Sequence, residues 1–99
     1  MLERDFQKKV IAYLKENKIY HFKTITTNKK GTPDIIGCYK GRFFGIECKS
    51  PKGKITDWQL RAHKDITENG GAVIVLFANE NYKATLNEFF NSEFHNYRI

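Results

Sequence analysis

Two short β-forming runs, Asp34 to Tyr39 and Arg42 to Lys49, are separated only by Lys40-Gly41. A two-residue connection ending in Gly reverses an antiparallel pair and is too short for a parallel crossover, so this stretch predicts a β-hairpin. With Lys40-Gly41 as the turn, Tyr39 pairs with Arg42, and counting outward brings Asp34 opposite Glu47. Side chains alternate with a period of two, which puts Lys49 on the same face as Glu47. Cys38 and Cys48 then face opposite sides of the sheet, which argues against a disulfide. Neither has zinc-site spacing, and both read as small buried side chains in a reducing compartment.

The flanking segments supply the other elements. Leu2, Phe6, Val10, Tyr13 and Leu14 recur at helical spacing, predicting an amphipathic helix over residues 2–17. Ile19 to Ile25 reads as a strand, followed by a polar, basic loop from Thr26 to Thr32. After Ser50-Pro51-Lys52-Gly53-Lys54, Thr56 and Gln59 form the signature of a capping box, and Asn69-Gly70-Gly71 ends the helix they start. Ala72 to Phe77 is a short apolar run suited to a buried strand, and Tyr82 to Phe90 reads as a last helix. The expected fold class is therefore α/β: one domain over residues 1–99, with a small mixed sheet flanked by helices.

Ninety-nine residues with 40% hydrophobic and 14% aromatic content suit one modest core, not a disordered chain. No apolar run approaches the length of a membrane span, and the N-terminus has no signal-peptide pattern, so a cytoplasmic location is expected. Seventeen Lys and Arg against eleven Asp and Glu leave a net charge of +6. That excess favours a polyanionic partner, though ordinary surface charge also accounts for it.

The hairpin gathers two carboxylates and an ammonium on one face. Like charges directly opposite destabilise a strand pair, and a hairpin has no structural need for them. A divalent cation removes the penalty, and all-oxygen ligation suits Mg²⁺ or Mn²⁺, which also accept phosphate oxygens. The alternative is a surface hairpin with unrelated charges. In the first helix Glu3 falls on the apolar stripe with Phe6, Val10 and Leu14. A carboxylate there is unfavourable unless paired or ligating, so Glu3 reads as a third acidic group at the site. The competing reading is a wet first-turn Glu favoured by the helix dipole.

The ordered set Gly31-Thr32-Pro33-Asp34-Ile35-Ile36-Gly37, Ile46-Glu47-Cys48-Lys49, and Gln59 after a basic, glycine-containing loop resembles the VRR-NUC family. That family belongs to the PD-(D/E)xK nucleases and is close to the archaeal Holliday-junction resolvases. The resemblance runs from Glu3 to the apolar strand after Gly70-Gly71. It implies an αβββαβ restriction-endonuclease-like core, here with an added C-terminal helix. It also implies that Asp34, Glu47 and the Cys48 backbone carbonyl bind Mg²⁺ or Mn²⁺, and that Lys49, Glu3 and Gln59 act in catalysis. Gln59 has a complete structural explanation in the capping box as well, and the two roles are compatible. The implied activity is endonucleolytic cleavage of DNA, preferably branched DNA such as Holliday junctions, by a homodimer. The chain resembles stand-alone bacterial and viral forms, which would place it in a bacterial or phage-infected cell. The alternatives are a less selective flap or duplex nicking nuclease and a non-catalytic DNA-binding module.

Lys29, Lys30, Lys52 and Lys54 lie in loops on either side of the hairpin, where Gly31 and Gly53 permit close backbone approach. They are the candidates for DNA-backbone contacts, against a reading as solvated loops. His21, His63 and His95 show no ligand spacing among themselves. His63 lies one turn from Gln59, which would let it face the site, but the reading preferred is an ordinary surface histidine. Trp58 and the Phe89-Phe90 pair read as core or interface residues in preference to base-stacking groups. The segment from Phe89 to Tyr97 either supplies a dimer interface or covers the sheet.

Overall fold

The computed structural model describes residues 2–92. Its elements run α1 (Glu3–Glu16), β1 (Tyr20–Lys23), β2 (Ile35–Tyr39), β3 (Arg42–Lys49), α2 (Asp57–Glu68), β4 (Ala72–Phe77) and α3 (Tyr82–Asn91). The order is the expected one, and the fold is mixed α/β. β1 is shorter than the run from Ile19 to Ile25 suggests. At Thr24 the chain turns from strand pairing to anchoring: its N–H donates to the Asp34 carbonyl and its Oγ1 to the Pro33 carbonyl. Ile25 beyond it is 90% exposed.

The four strands form one sheet in the order β1-β2-β3-β4. β1 and β2 pair antiparallel, as do β2 and β3, whereas β4 returns through α2 to lie parallel to β3. At the hairpin, Tyr39 faces Arg42 and Ile35 faces Ile46, so the expected register holds. Lys40 and Gly41 both have positive φ, +49° and +82°. A tight hairpin turn of the primed type demands this at both central positions.

The period of two divides the sheet into unlike faces. Ile35, Phe44, Ile46, Cys48, Ala72, Ile74 and Leu76 are buried on one side with Phe6, Val10 and Leu14 of α1 and Leu86, Phe89 and Phe90 of α3. Phe44 meets Phe90 edge-on at 5.1 Å between ring centroids. Phe89 and Phe90 are therefore core residues that cover the sheet, not an interface. The remainder of the candidate interface segment, residues 93–97, lies outside the described residues, as does His95.

The opposite face carries α2, and its chemistry differs. The buried side chains of this helix are His63 and Thr67, both polar. The capping box is complete: Thr56 Oγ1 accepts from the Gln59 N–H, and Gln59 Oε1 accepts from the Thr56 N–H at 2.9 Å. The helix ends at Asn69, and Gly70 follows with φ of +91°. Among the described residues no helix is long and apolar enough to cross a membrane.

Candidate active site

Three local devices bring Asp34 to Glu47. Gly45, two residues before Glu47, leaves the space that the buried Pro33 ring occupies; a Cβ there would sit 2.7 Å from Pro33 Cγ. Thr24 holds the Pro33 and Asp34 carbonyls from the other side. Gly31, at φ +79°, lets the loop run against the start of α2, where a Cβ would meet the Trp58 carbonyl oxygen at 2.1 Å. The Gly-x-Pro-Asp sequence is thus a clamp between hairpin and helix.

The Asp34 carboxyl accepts a hydrogen bond from the Cys48 N–H at 2.8 Å and lies against the carboxyl of Glu47. Burial and the neighbouring Glu47 charge push its pKa from 3.8 up to about 7; the Cys48 hydrogen bond and the Lys49 ammonium pull the other way more weakly. A β-strand residue presents its N–H and C=O to the same edge. Because the Cys48 N–H points to Asp34, its carbonyl is directed to that side too. The next carbonyl, of Lys49, turns the other way and accepts from Ala78. Two carboxylates and one carbonyl thus share a corner of the sheet, an all-oxygen set suited to a hard divalent cation. Among the described residues no three His, Cys, Asp or Glu side chains are placed to hold a metal ion together, so the backbone carbonyl is needed to extend the set.

Glu47 is 2% exposed and held from α2 on both oxygens. Gln59 Nε2 donates to Oε2 at 3.3 Å, and His63 Nε2 lies 3.3 Å from Oε1. Gln59 uses its other amide atom in the capping box, so one side chain both starts the helix and orients the carboxylate. Lys49, also buried, packs its stem beside Gly53, where a Cβ would be 3.3 Å from the lysine Cβ and Cδ. The Cys48 thiol lies in the apolar core on the opposite face; its pKa is raised, first by burial and then by Asp34, Glu47 and Glu3. A thiol so disfavoured as thiolate is not a nucleophile.

Two expectations need correction. Glu3 is exposed and not part of the buried stripe. It starts the helix, where solvent and the helix dipole favour a carboxylate, yet its charge still reaches the Cys48 thiol at the end of β3. The polar side chain buried on that helix is Gln7, whose Oε1 has no hydrogen-bond partner among the described residues. His63 is not a surface histidine: it is 8% exposed and in contact with Glu47. The spacing of Gln59 and His63, four residues apart on one helix, is the signal in the sequence that points to a shared target.

The four loop lysines are exposed. Gly53 places the loop of Lys52 and Lys54 beside Lys49, and Gly31 places Lys29 and Lys30 beside the first turn of α2. Trp58 is 50% exposed and is not a core residue.

Fold and site together define a mixed α/β protein whose central hairpin carries a two-carboxylate, one-lysine centre under a capping helix. No family model matches the chain. Over 75 residues it is 29% identical to "Putative nuclease p44" of Acyrthosiphon pisum secondary endosymbiont phage 1, an alignment covering 75% of this chain and 81% of that protein.

Proposed function

We propose that the chain is a nuclease: a Mg²⁺- or Mn²⁺-dependent endonuclease of DNA, of the VRR-NUC type within the PD-(D/E)xK superfamily. The observation that carries this reading is the contact between the Asp34 and Glu47 carboxyls on the face that also holds Lys49. Such a pair is costly without a cation, and the distant phage relative named as a nuclease supports the same chemistry.

Asp34, Glu47 and the Cys48 carbonyl would hold the ion, which supplies Lewis acidity toward a phosphate oxygen when bound. Gln59 and His63 keep Glu47 aimed, and Cys48 N–H fixes the Asp34 carboxylate. The Lys49 ammonium would orient the attacking water or donate to the oxyanion that develops on phosphorus. Water attack breaks one P–O bond and leaves a phosphate monoester and a free hydroxyl. Glu3, at the exposed start of α1, would contact that water as a third acidic group. Lys29, Lys30, Lys52 and Lys54 flank the centre and suit contacts to phosphates that position the strand.

Within this reading the preferred substrate is branched DNA such as a Holliday junction, cut by a homodimer in a bacterial or phage-infected cell. Each chain offers one Asp34–Glu47 centre, and paired incisions on one junction call for two centres related by a two-fold axis. Labelled four-way junction, flap and linear duplex, each incubated with Mg²⁺, Mn²⁺ or EDTA, test activity and selectivity together. Cleavage with metal and none with EDTA is expected; binding without cleavage in every lane points to a DNA-binding module. Equal cutting of all three substrates by a protein monomeric in sedimentation equilibrium replaces the resolvase reading with a nicking nuclease.

A further inference from the structure

Beside the carboxyl pair, on the same side of the sheet, lies a groove of about 840 Å³ between the loop of Asn28–Pro33, Phe43 and α2. Asp34, Glu47 and Lys49 do not line it. It joins them through Pro33 and Trp58, the residues next to Asp34 and Gln59. Phe43 shares the face of Glu47, four residues back along β3, so the groove runs from Pro33, next to Asp34, to a point roughly 13 Å from Glu47. Its size falls within the range of about 300–1,000 Å³ usual for small-molecule sites.

The lining is unusual for a surface that only meets water. Trp58 and Phe43 are 50% and 44% exposed, so two aromatic rings face solvent at one place. Lys30 Nζ lies 4.9 Å and the Arg61 guanidinium 5.4 Å from the Trp58 ring centroid. With Lys29, three cations line the groove against one acid, Asp65. Two like charges gathered at one half-exposed indole repel each other and do not serve the core. An aromatic face with cations at its rim is, however, the combination that takes a single nucleotide: the ring stacks on the base and the cations meet the phosphates.

Building on the nuclease reading, we propose that this groove receives an unpaired base from a single-stranded DNA segment, stacked on Trp58, with Lys30 and Arg61 on the flanking phosphates. A paired base is stacked between its neighbours and cannot turn its face to the indole. The groove would therefore narrow the branched substrates to those with a single-stranded segment near the cut, such as a flap, ahead of a fully paired four-way junction.

Trp58 is the chain's one tryptophan, so its fluorescence reports the groove directly. The wild-type protein in EDTA is titrated with oligothymidylate and, in parallel, with an abasic oligomer of the same length. Saturable quenching by oligothymidylate with little from the abasic strand is expected. Trp58→Ala should bind oligothymidylate at least about fivefold more weakly in a fluorescently labelled strand assay, the lower end of what one stacked base contributes. Because Trp58 is half-exposed, circular dichroism should show that variant folded; should it fail to fold, the wild-type titration decides alone. Equal quenching by both strands, or none by either, overturns the proposal. So does an emission change on raising protein concentration without DNA, which would assign the groove to a second copy of the chain. Binding in EDTA is independent of cleavage: quenching without metal-dependent cutting spares the groove and defeats the nuclease reading, and cutting without quenching does the reverse.

Discussion

His63 Nε2 lies 3.3 Å from Glu47 Oε1, while Gln59 Nε2 reaches the other oxygen of the same carboxylate at 3.3 Å. Both donors project from one face of α2, a helix whose buried side chains are otherwise limited to Thr67. The helix, packed against β4, thus also reaches across to grasp a carboxylate of β3, and the aim of Glu47 depends on where the helix sits.

Loss of this grip should weaken metal binding more than folding. His63→Ala is expected to reduce metal affinity or cleavage by roughly 10- to 100-fold, the range for residues that orient a ligand from behind. His63→Gln, which keeps a donor at similar reach, should recover part of it. Titration calorimetry with Mn²⁺ alongside cleavage rates measures both. Unchanged affinity in His63→Ala would remove histidine from the positioning role and leave Gln59 to hold Glu47.

Asp34 gives the metal-free protein a particular pH dependence. Its folded pKa of about 7 stands above the unfolded 3.8, so between those values the native state holds a proton that the unfolded chain has released. The contribution to stability is therefore fully present below the unfolded pKa and lost as pH rises through the folded one. Thermal melts in EDTA from pH 4.5 to 7.5 should show the wild type losing stability relative to Asp34→Asn, which keeps the acceptor for Cys48 N–H but cannot ionise. The same variant should nearly abolish cleavage. Parallel melting curves across that range, or wild-type cleavage by the folded variant, would contradict the assignment.

A cation held at the proposed centre would displace the proton from Asp34. Calorimetry of Mn²⁺ binding at pH 6, in two buffers of different ionisation enthalpy, should show net proton release approaching one per site and declining by pH 8. Asp34→Asn should release none from this source. Equal enthalpies in both buffers would mean that the cation binds elsewhere.

Much of the site is legible in the sequence alone, because the hairpin is governed by short-range rules. Lys40-Gly41 determines the register, the register places Asp34 opposite Glu47, and the period of two places Lys49 with them. The capping box likewise announces where α2 begins. What is not legible depends on tertiary packing. The apolar stripe suggests burial of Glu3, but the helix presents its first turn to solvent and buries Gln7 one turn later. His63 and Trp58 lie on the same helix as Gln59, yet periodicity alone does not say which side of α2 meets a carboxylate and which opens onto a groove. That distinction needs the Gly31 contact, which fixes the loop against Trp58 and Gln59.

Gly31 should accordingly tolerate no side chain. Its φ of +79° is unfavourable for L residues, and a Cβ would sit 2.1 Å from the Trp58 carbonyl oxygen. Gly31→Ala is expected to destabilise by about 1–3 kcal/mol, with a larger proportional loss of activity because the displaced loop carries Pro33 and Asp34. Gly41→Ala provides a contrast: φ there is also positive, but no atom of the described residues lies within 4 Å of the added Cβ. Its cost should be backbone strain alone. Urea unfolding and cleavage rates for the two variants separate the effects, and equal losses of activity would show that the loop-to-helix contact does not govern the site.

Lys49 and the lysines of the adjoining loop should separate chemistry from binding. Lys49 is buried on the face of Glu47, and its ammonium acts on the Asp34 carboxyl. Lys52 and Lys54 are exposed on a loop that Gly53 seats against the Lys49 stem. Lys49→Ala should therefore lose cleavage far more than DNA affinity. In Lys52→Ala with Lys54→Ala, affinity should fall while the cleavage rate at saturating DNA stays near wild type. Every phosphate that the double variant no longer neutralises should flatten the plot of log K against log salt by about 0.9 for duplex, or about 0.7 for a single strand. Binding measured in Ca²⁺ or EDTA across salt, with single-turnover rates in Mg²⁺, distinguishes the two variants. An unchanged slope in the double variant would move the phosphate contacts off this loop, whereas a Lys49→Ala protein with wild-type single-turnover rates would take lysine out of the chemical step.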